Sequence, residues 1–295
     1  MTRSGTRIRD PETEGRSLIA LIILIVMGYL AGGYVLTQAF LRPSRPPKGM
    51  QGPEAFGLSY ETWTVAGSRV PAWHFPCPDA SFTLILVPAL GGTVFTLQTE
   101  SLGAFVRELH AAGMDVVSAP GFQPRHIISV LRTVQEHALP RPVLMGFSIG
   151  GSTALHVAIT EPVAALVLDG VVDNLGRVLW RDLTRQGPLV RLLLPALRLF
   201  LSLYRSIHGA LHAAVSLSQV TEPVLLVYGE REYLVEEDMN QELMAAVQDR
   251  PQSGVFMVPD TGHCYGPTDH PALYAERVVH FLDGVKASEL RGGQG

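Results

Sequence analysis

The 295-residue sequence predicts an α/β fold, a mostly parallel central sheet flanked by helices, with a helical cap inserted between two late strands. Three observations point there. Short continuous apolar runs, such as Ser81–Val87 and Val224–Tyr228, alternate with amphipathic stretches, the pattern of strands buried on both faces. One of these runs, Val143–Met145, feeds into Gly146-Phe147-Ser148-Ile149-Gly150 and then into a helix start built of small residues. Residues 174–218 break the strand–helix rhythm and are too long for a simple crossover.

Residues 1–16 mix Arg3, Arg7, Arg9 and Arg16 with Asp10, Glu12 and Glu14, which predicts a disordered tail. Residues 17–40 carry no charge and are long enough to span a bilayer core. An uncleaved transmembrane signal-anchor is expected. A cleaved signal peptide is the rival, since Thr37-Gln38-Ala39 loosely fits a small-x-small cleavage site. A signal-anchor most simply leaves the following domain on the extracytoplasmic side. Residues 41–55, with four prolines between 43 and 53, form a stiff linker, and the globular domain occupies 56–285.

Within that domain, Tyr60–Val65 and Val70–Phe75 read as an antiparallel hairpin around Ala66-Gly67-Ser68. Ser81–Val87 is a buried strand followed by Pro88-Ala89-Leu90-Gly91-Gly92. Leu102, Phe105, Val106 and Leu109 share one face of a helix closed by Gly113. Asp115–Ser118 is a strand and Ile127–His137 a helix. Further strands cover Ala164–Leu168, Val224–Tyr228 and Gly254–Val258, and a closing helix holds Leu273, Val278, Val279 and Phe281. The tail from 286 onward is expected to be disordered.

In the cap, Leu175–Gln186 and Pro188–His208 read as helices broken at Gly187-Pro188. Arg191, Arg198 and Arg205 recur every seven residues and share a face; Arg177, Arg181 and Arg185 form a second basic stripe. The stripes are either solvated faces of an ordinary cap or a surface for anionic lipid headgroups. A net charge of −4 gives no indication of a nucleic-acid partner. Cys77 and Cys264 are too few for a disulfide framework and show no metal-ligand spacing; two buried thiols are expected.

The Gly-x-Ser-x-Gly spacing has a steric cause. A serine at the tip of a tight strand-to-helix turn needs neighbours without a β-carbon on both sides. The turn lifts the hydroxyl clear and aims a helix N-terminus at developing negative charge. A serine is a weak nucleophile without a base, and the base needs an acid to orient it. His263, in Asp260-Thr261-Gly262-His263 just beyond the last strand, has the best context of ten histidines. Glu232, after the strand Val224–Tyr228, is the chosen acid. Glu230, Asp238, Asp173 and Asp169 are its rivals, and Asp260 reads as a loop-shaping residue.

The order Ser148, Glu232, His263, with acid and base each following a strand, resembles the α/β-hydrolase superfamily over about residues 56–285. The residues around Val65, Gly67 and Pro71-Ala72-Trp73 are similar to a subgroup with an N-terminal membrane segment, the ABHD13/BEM46-like hydrolases. The resemblance implies a serine hydrolase acting on an ester or thioester of an apolar, lipid-like acyl group. The catalytic residues would be Ser148, His263 and Glu232, with backbone N–H donors from Ile149 and Leu90 forming an oxyanion hole. It implies no cofactor and no metal. Pro88-Ala89 departs from the His-Gly that many members carry, and Glu232 from their usual aspartate. A peptidase or amidase, or a non-catalytic binding protein on the same fold, are the alternatives.

Overall fold

The computed structural model describes residues 11–41, 53–68, 70–89, 99–171, 187–203, 217–232 and 237–292. Eight strands form one sheet: β1 (Glu61–Trp63), β2 (Ala72–Phe75), β3 (Thr83–Val87), β4 (Asp115–Ser118), β5 (Pro142–Phe147), β6 (Ala165–Asp169), β7 (Val224–Gly229) and β8 (Gly254–Val258). Their spatial order is β1-β2-β4-β3-β5-β6-β7-β8. The hairpin β1–β2 and the β2–β4 pair are antiparallel, and all other pairs are parallel.

The central strands β3, β5, β6 and β7 are buried along nearly their whole length, as their continuous apolar runs require. Alternate side chains go to opposite faces and so build two cores. Leu144, Leu166, Leu168 and Leu226 pack on one face with α3 (Pro124–Glu136) and α4 (Ile149–Ala158). Leu84, Leu86, Met145 and Val227 pack on the other with α2 (Thr99–Ala111) and the C-terminal helix. Sheet crossovers of this kind bring the ends of β5, β6, β7 and β8 to one rim.

The hairpin is tied to the sheet by a buried side chain. His74 on β2 reaches both oxygens of Asp115 at 3.0 Å and Glu61 at 3.2 Å. Burial opposes the imidazolium, but the two carboxylates outweigh it, and the His74 pKa is raised.

Three expectations are revised. The C-terminal helix runs Pro271–Gly292, so residues 286–292 are helical rather than a disordered tail. Val285 is buried, the Lys286 ammonium donates to Ser81 Oγ at 2.7 Å, and Arg291 lies in the last turn, where a cation suits the helix dipole. The N-terminal helix α1 (Pro11–Leu41) takes in residues 11–16 of the expected tail. Cys77 is half-buried rather than buried, and both cysteines are free thiols. The helix expected over Leu175–Gln186 lies outside the described residues, whereas Pro188–Leu203 is helix α5.

Helix α1 holds a 23-residue segment, Arg16–Gln38, with mean hydropathy 2.4 and almost wholly exposed, long and apolar enough to cross a bilayer. Its C-terminal part packs on α5. Gly33 meets Ala196 so closely that a β-carbon there would fall 2.4 Å from the Ala196 methyl, and Tyr34 sets its ring edge-on to Phe200.

On the other side of the molecule Phe105 is fully buried and packs edge-on against Tyr274 of the C-terminal helix at 5.4 Å. Replacing Phe105 with alanine should cost about 3–5 kcal/mol in urea unfolding followed by tryptophan fluorescence. A loss near zero would mean that α2 does not carry that core.

Candidate active site

Ser148 sits between β5 and α4 with φ 52° and ψ −123°, a conformation that costs a non-glycine residue about 1–3 kcal/mol. The neighbouring glycines explain why the chain accepts it. A β-carbon on Gly146 would lie 2.4 Å from Gly151 Cα and 2.5 Å from the Gly150 carbonyl oxygen. One on Gly150 would lie 2.4 Å from the carbonyl oxygen of Pro88 and 2.5 Å from that of Val87. The first glycine lets the helix close over its own strand. The second lets that helix seat against the end of β3. Ile149 is the first residue of α4, so its N–H is one of those with no acceptor inside the helix.

His263 follows β8 in a loop held against the end of β7. Glu230 N–H donates to the Val258 carbonyl at 3.0 Å, and Arg231 N–H donates to the Thr261 carbonyl at 2.9 Å. Asp260 N–H donates to Glu230 Oε2 at 3.1 Å, and Arg231 pairs with Asp260 at 2.7 Å. That pair is largely exposed and contributes little by itself; its role is to shape the loop. Gly229 makes the approach possible, since a β-carbon there would fall 2.3 Å from the Thr261 carbonyl oxygen.

The structure brings His263 and Glu232 together. Nδ1 of His263 lies 3.0 Å and 2.9 Å from the two Glu232 carboxylate oxygens, and both side chains are over nine-tenths buried. The geometry requires Nδ1 to carry the proton, because a carboxylate only accepts. In the neutral imidazole the other ring nitrogen, Nε2, then carries the lone pair.

The end of β6 joins these parts. The Asp169 carbonyl accepts from Ser148 N–H at 2.7 Å and from the Cys264 thiol at 3.4 Å. Cys264 is the residue after His263, so one carbonyl ties the serine turn to the histidine loop. Gly170 has φ +57°, and a β-carbon there would lie 2.7 Å from His263 Cε1 and 2.9 Å from Nδ1. Cys264 also takes a positive φ of 59°. The sequence marks Gly229 only as part of the turn before Glu232 and Cys264 only as a buried thiol, and it gives Gly170 no role. A Gly directly after a strand-end Asp is a weak signal, and the thiol gives none.

The rival acids are placed elsewhere or committed. Glu230 is exposed and bonded to the Asp260 backbone. Asp173 lies outside the described residues, and Asp238 lies in helix α6 (Glu237–Gln248). Asp169 is fully buried, and its Oδ2 accepts from the Tyr274 hydroxyl at 2.9 Å. Burial pushes its pKa from the usual 3.8 up to about 7; the Tyr274 hydroxyl and His263 pull it down, and Glu232 adds to the rise. Leu90 lies outside the described residues. Among the described residues, no three His, Cys, Asp or Glu side chains are grouped to hold a metal ion.

The Pyrococcus furiosus esterase Pf2001 superposes with a TM-score of 0.65 at 15% identity, over 82% of this chain and 98% of the esterase. A membrane phospholipase A, described as a bacterial virulence factor, gives 0.56 at 18% identity, over 92% of this chain and 99% of that one. The haloalkane dehalogenase DbeA from Bradyrhizobium elkani gives 0.54 at 14%, over 78% and 99%. No family model and no curated protein sequence matches. The chain has the α/β-hydrolase fold.

The buried Asp169 generates a pH dependence. Its folded-state pKa lies above the unfolded one, so the folded chain holds a proton that the unfolded chain releases. The associated stability is complete below about pH 4 and is lost as pH rises through about 7. Urea unfolding of wild type and Asp169→Asn across that window should show wild type losing stability relative to the variant by a few kcal/mol. Parallel pH profiles would exclude a buried, protonated Asp169.

Proposed function

We propose that the chain is a membrane-anchored serine hydrolase that cleaves carboxylic ester or thioester bonds of apolar acyl substrates. The observation that carries this reading is the two-oxygen contact of Glu232 with His263 Nδ1 at 3.0 and 2.9 Å, beside the strained Ser148 turn. The Ser148 hydroxyl attacks the carbonyl carbon while His263 Nε2 takes its proton. Glu232 keeps the imidazole in the tautomer that leaves Nε2 free of hydrogen and stabilises the cation that forms. The oxyanion is held by the Ile149 N–H at the start of α4 and, by the resemblance, by the Leu90 N–H.

Collapse of the tetrahedral intermediate breaks the bond to the leaving oxygen or sulfur, which takes the proton from His263. Water, deprotonated by the same imidazole, then attacks the acyl-serine and regenerates the free hydroxyl. The structural neighbours described as an esterase and a phospholipase support hydrolysis of an ester. Helix α1, whose Arg16–Gln38 segment has the length and hydropathy of a span, supplies the anchor. The substrate is a small acyl ester or lipid.

A fluorophosphonate probe should label wild type at Ser148 and leave Ser148→Ala unlabelled. Absence of labelling in folded wild type would favour a non-catalytic binding role for the fold. Glu232→Gln keeps the size and loses the charge. It should lower kcat/KM on a p-nitrophenyl ester by about 10³- to 10⁴-fold, the scale set by removing the orienting acid of a serine triad. An unchanged rate would pass the acid's role to another residue. A matching anilide, cleaved as fast as the ester, would turn the reading toward an amidase.

A further inference from the structure

We infer that helix α5 of the cap lies in the headgroup layer of the membrane, its exposed leucines in the acyl region, clamped there by α1. The inference rests on the anchor reading of α1 and adds the surface through which substrate arrives.

The four sides of α5 have different surroundings. Leu194, Leu197 and Leu201 are buried in the core that also contains Ile149 and Val171, the neighbours of Ser148 and Gly170. Leu193, Ala196 and Phe200 face α1, against Gly32, Gly33 and Tyr34. Leu192, Leu199 and Leu203 are 63%, 49% and 65% exposed. At 100° per residue these three fall in a single stripe adjoining the side that packs on α1. Arg191 and Arg198, both exposed, flank the stripe on the side away from α1. The apolar stripe is therefore continuous with the exposed apolar surface of α1, and the cations sit outward of it.

Depth follows from where the two helices touch. Gly32, Gly33, Tyr34 and Leu36 lie inside the Arg16–Gln38 span rather than beyond it. Gly33 is five residues, about 7.5 Å of helix, from the Gln38 end. Amphipathic helices at a membrane surface bury their apolar face about 5–10 Å into the headgroup–acyl boundary. Once α1 spans, its contact with Ala196 holds α5 at that depth. The arginines are long enough to carry their charge outward to anionic headgroups. The occupant of the stripe is thus a lipid leaflet, while the inner face of the same helix packs into the core.

The test uses the whole chain in vesicles of phosphatidylcholine and phosphatidylglycerol. Single cysteines replace Leu192, Leu199 or Leu203 in a Cys77→Ser background, and each carries a nitroxide. Collision with oxygen, which concentrates in acyl chains, is compared with collision with a water-soluble nickel chelate. Ile22 on α1 and Leu290 on the C-terminal helix, both exposed, serve as lipid and water references. The three cap positions should match Ile22, with a severalfold higher oxygen-to-nickel ratio than Leu290.

A water pattern at the cap with a lipid pattern at Ile22 overturns the inference and leaves the anchor intact. A water pattern at Ile22 removes both. Labels shielded from both reagents would put protein, such as a second copy of the chain, on the stripe, and would also overturn it. Gly33→Leu, which breaks the close contact with Ala196, should move the cap positions toward water while Ile22 keeps its lipid pattern. Circular dichroism checks that this variant is folded.

Discussion

Backbone approaching backbone at a few β-carbon-free positions is the constraint on which the site depends. Gly146 and Gly150 let α4 start within contact of two strand ends, and Gly229 lets the loop after β8 lie against the end of β7. Gly170 leaves room for an imidazole where any side chain would stand. Each of these contacts is closer than a methyl group would permit. The sheet supplies adjacent strand ends about 5 Å apart, and the glycines bring the loops on them together. The local cost is concentrated at Ser148, Asp260 and Cys264, the residues with positive φ on the two turns. It is held in place by the two large cores beneath them.

The site also contains two carboxyl groups in different surroundings. Glu232 faces Nδ1 of His263 with both carboxylate oxygens. Asp169, enclosed and bonded to a phenol, is driven toward the neutral form. The rise at Asp169 comes from its burial rather than from its residue type.

The fold was legible in the sequence because its strands are written as uninterrupted apolar runs. Asp115–Ser118 and Gly254–Val258 begin and end where the sequence places them, and the hairpin before them pairs antiparallel as read. Ser148, Glu232 and His263 could be placed by their positions after strand ends, and the structure sets the last two in contact. What the sequence hid is non-local. Gly170 looks like any strand-end glycine until the partner loop, tens of residues away, is placed against it. The C-terminal helix was read too short because 286–292 has a polar surface. Its anchoring contact, Lys286 to Ser81, spans almost the whole domain. The cap helix was visible by its leucines and arginines, but its partner, α1, was not. Small residues such as Gly32 and Gly33 carry no periodic signal of what they will touch.

The Asp169 carbonyl that accepts from both Ser148 N–H and the Cys264 thiol gives the end of β6 an unusual place in the inheritance of change. Substitutions on the serine turn and on the histidine loop share one peptide group, so their effects need not add. A lineage that altered one loop would find the other constrained through a peptide group belonging to neither. Divergence at this rim would then proceed by paired changes, with positions 169 and 170 as the epistatic pivot, while the outer strands drift independently.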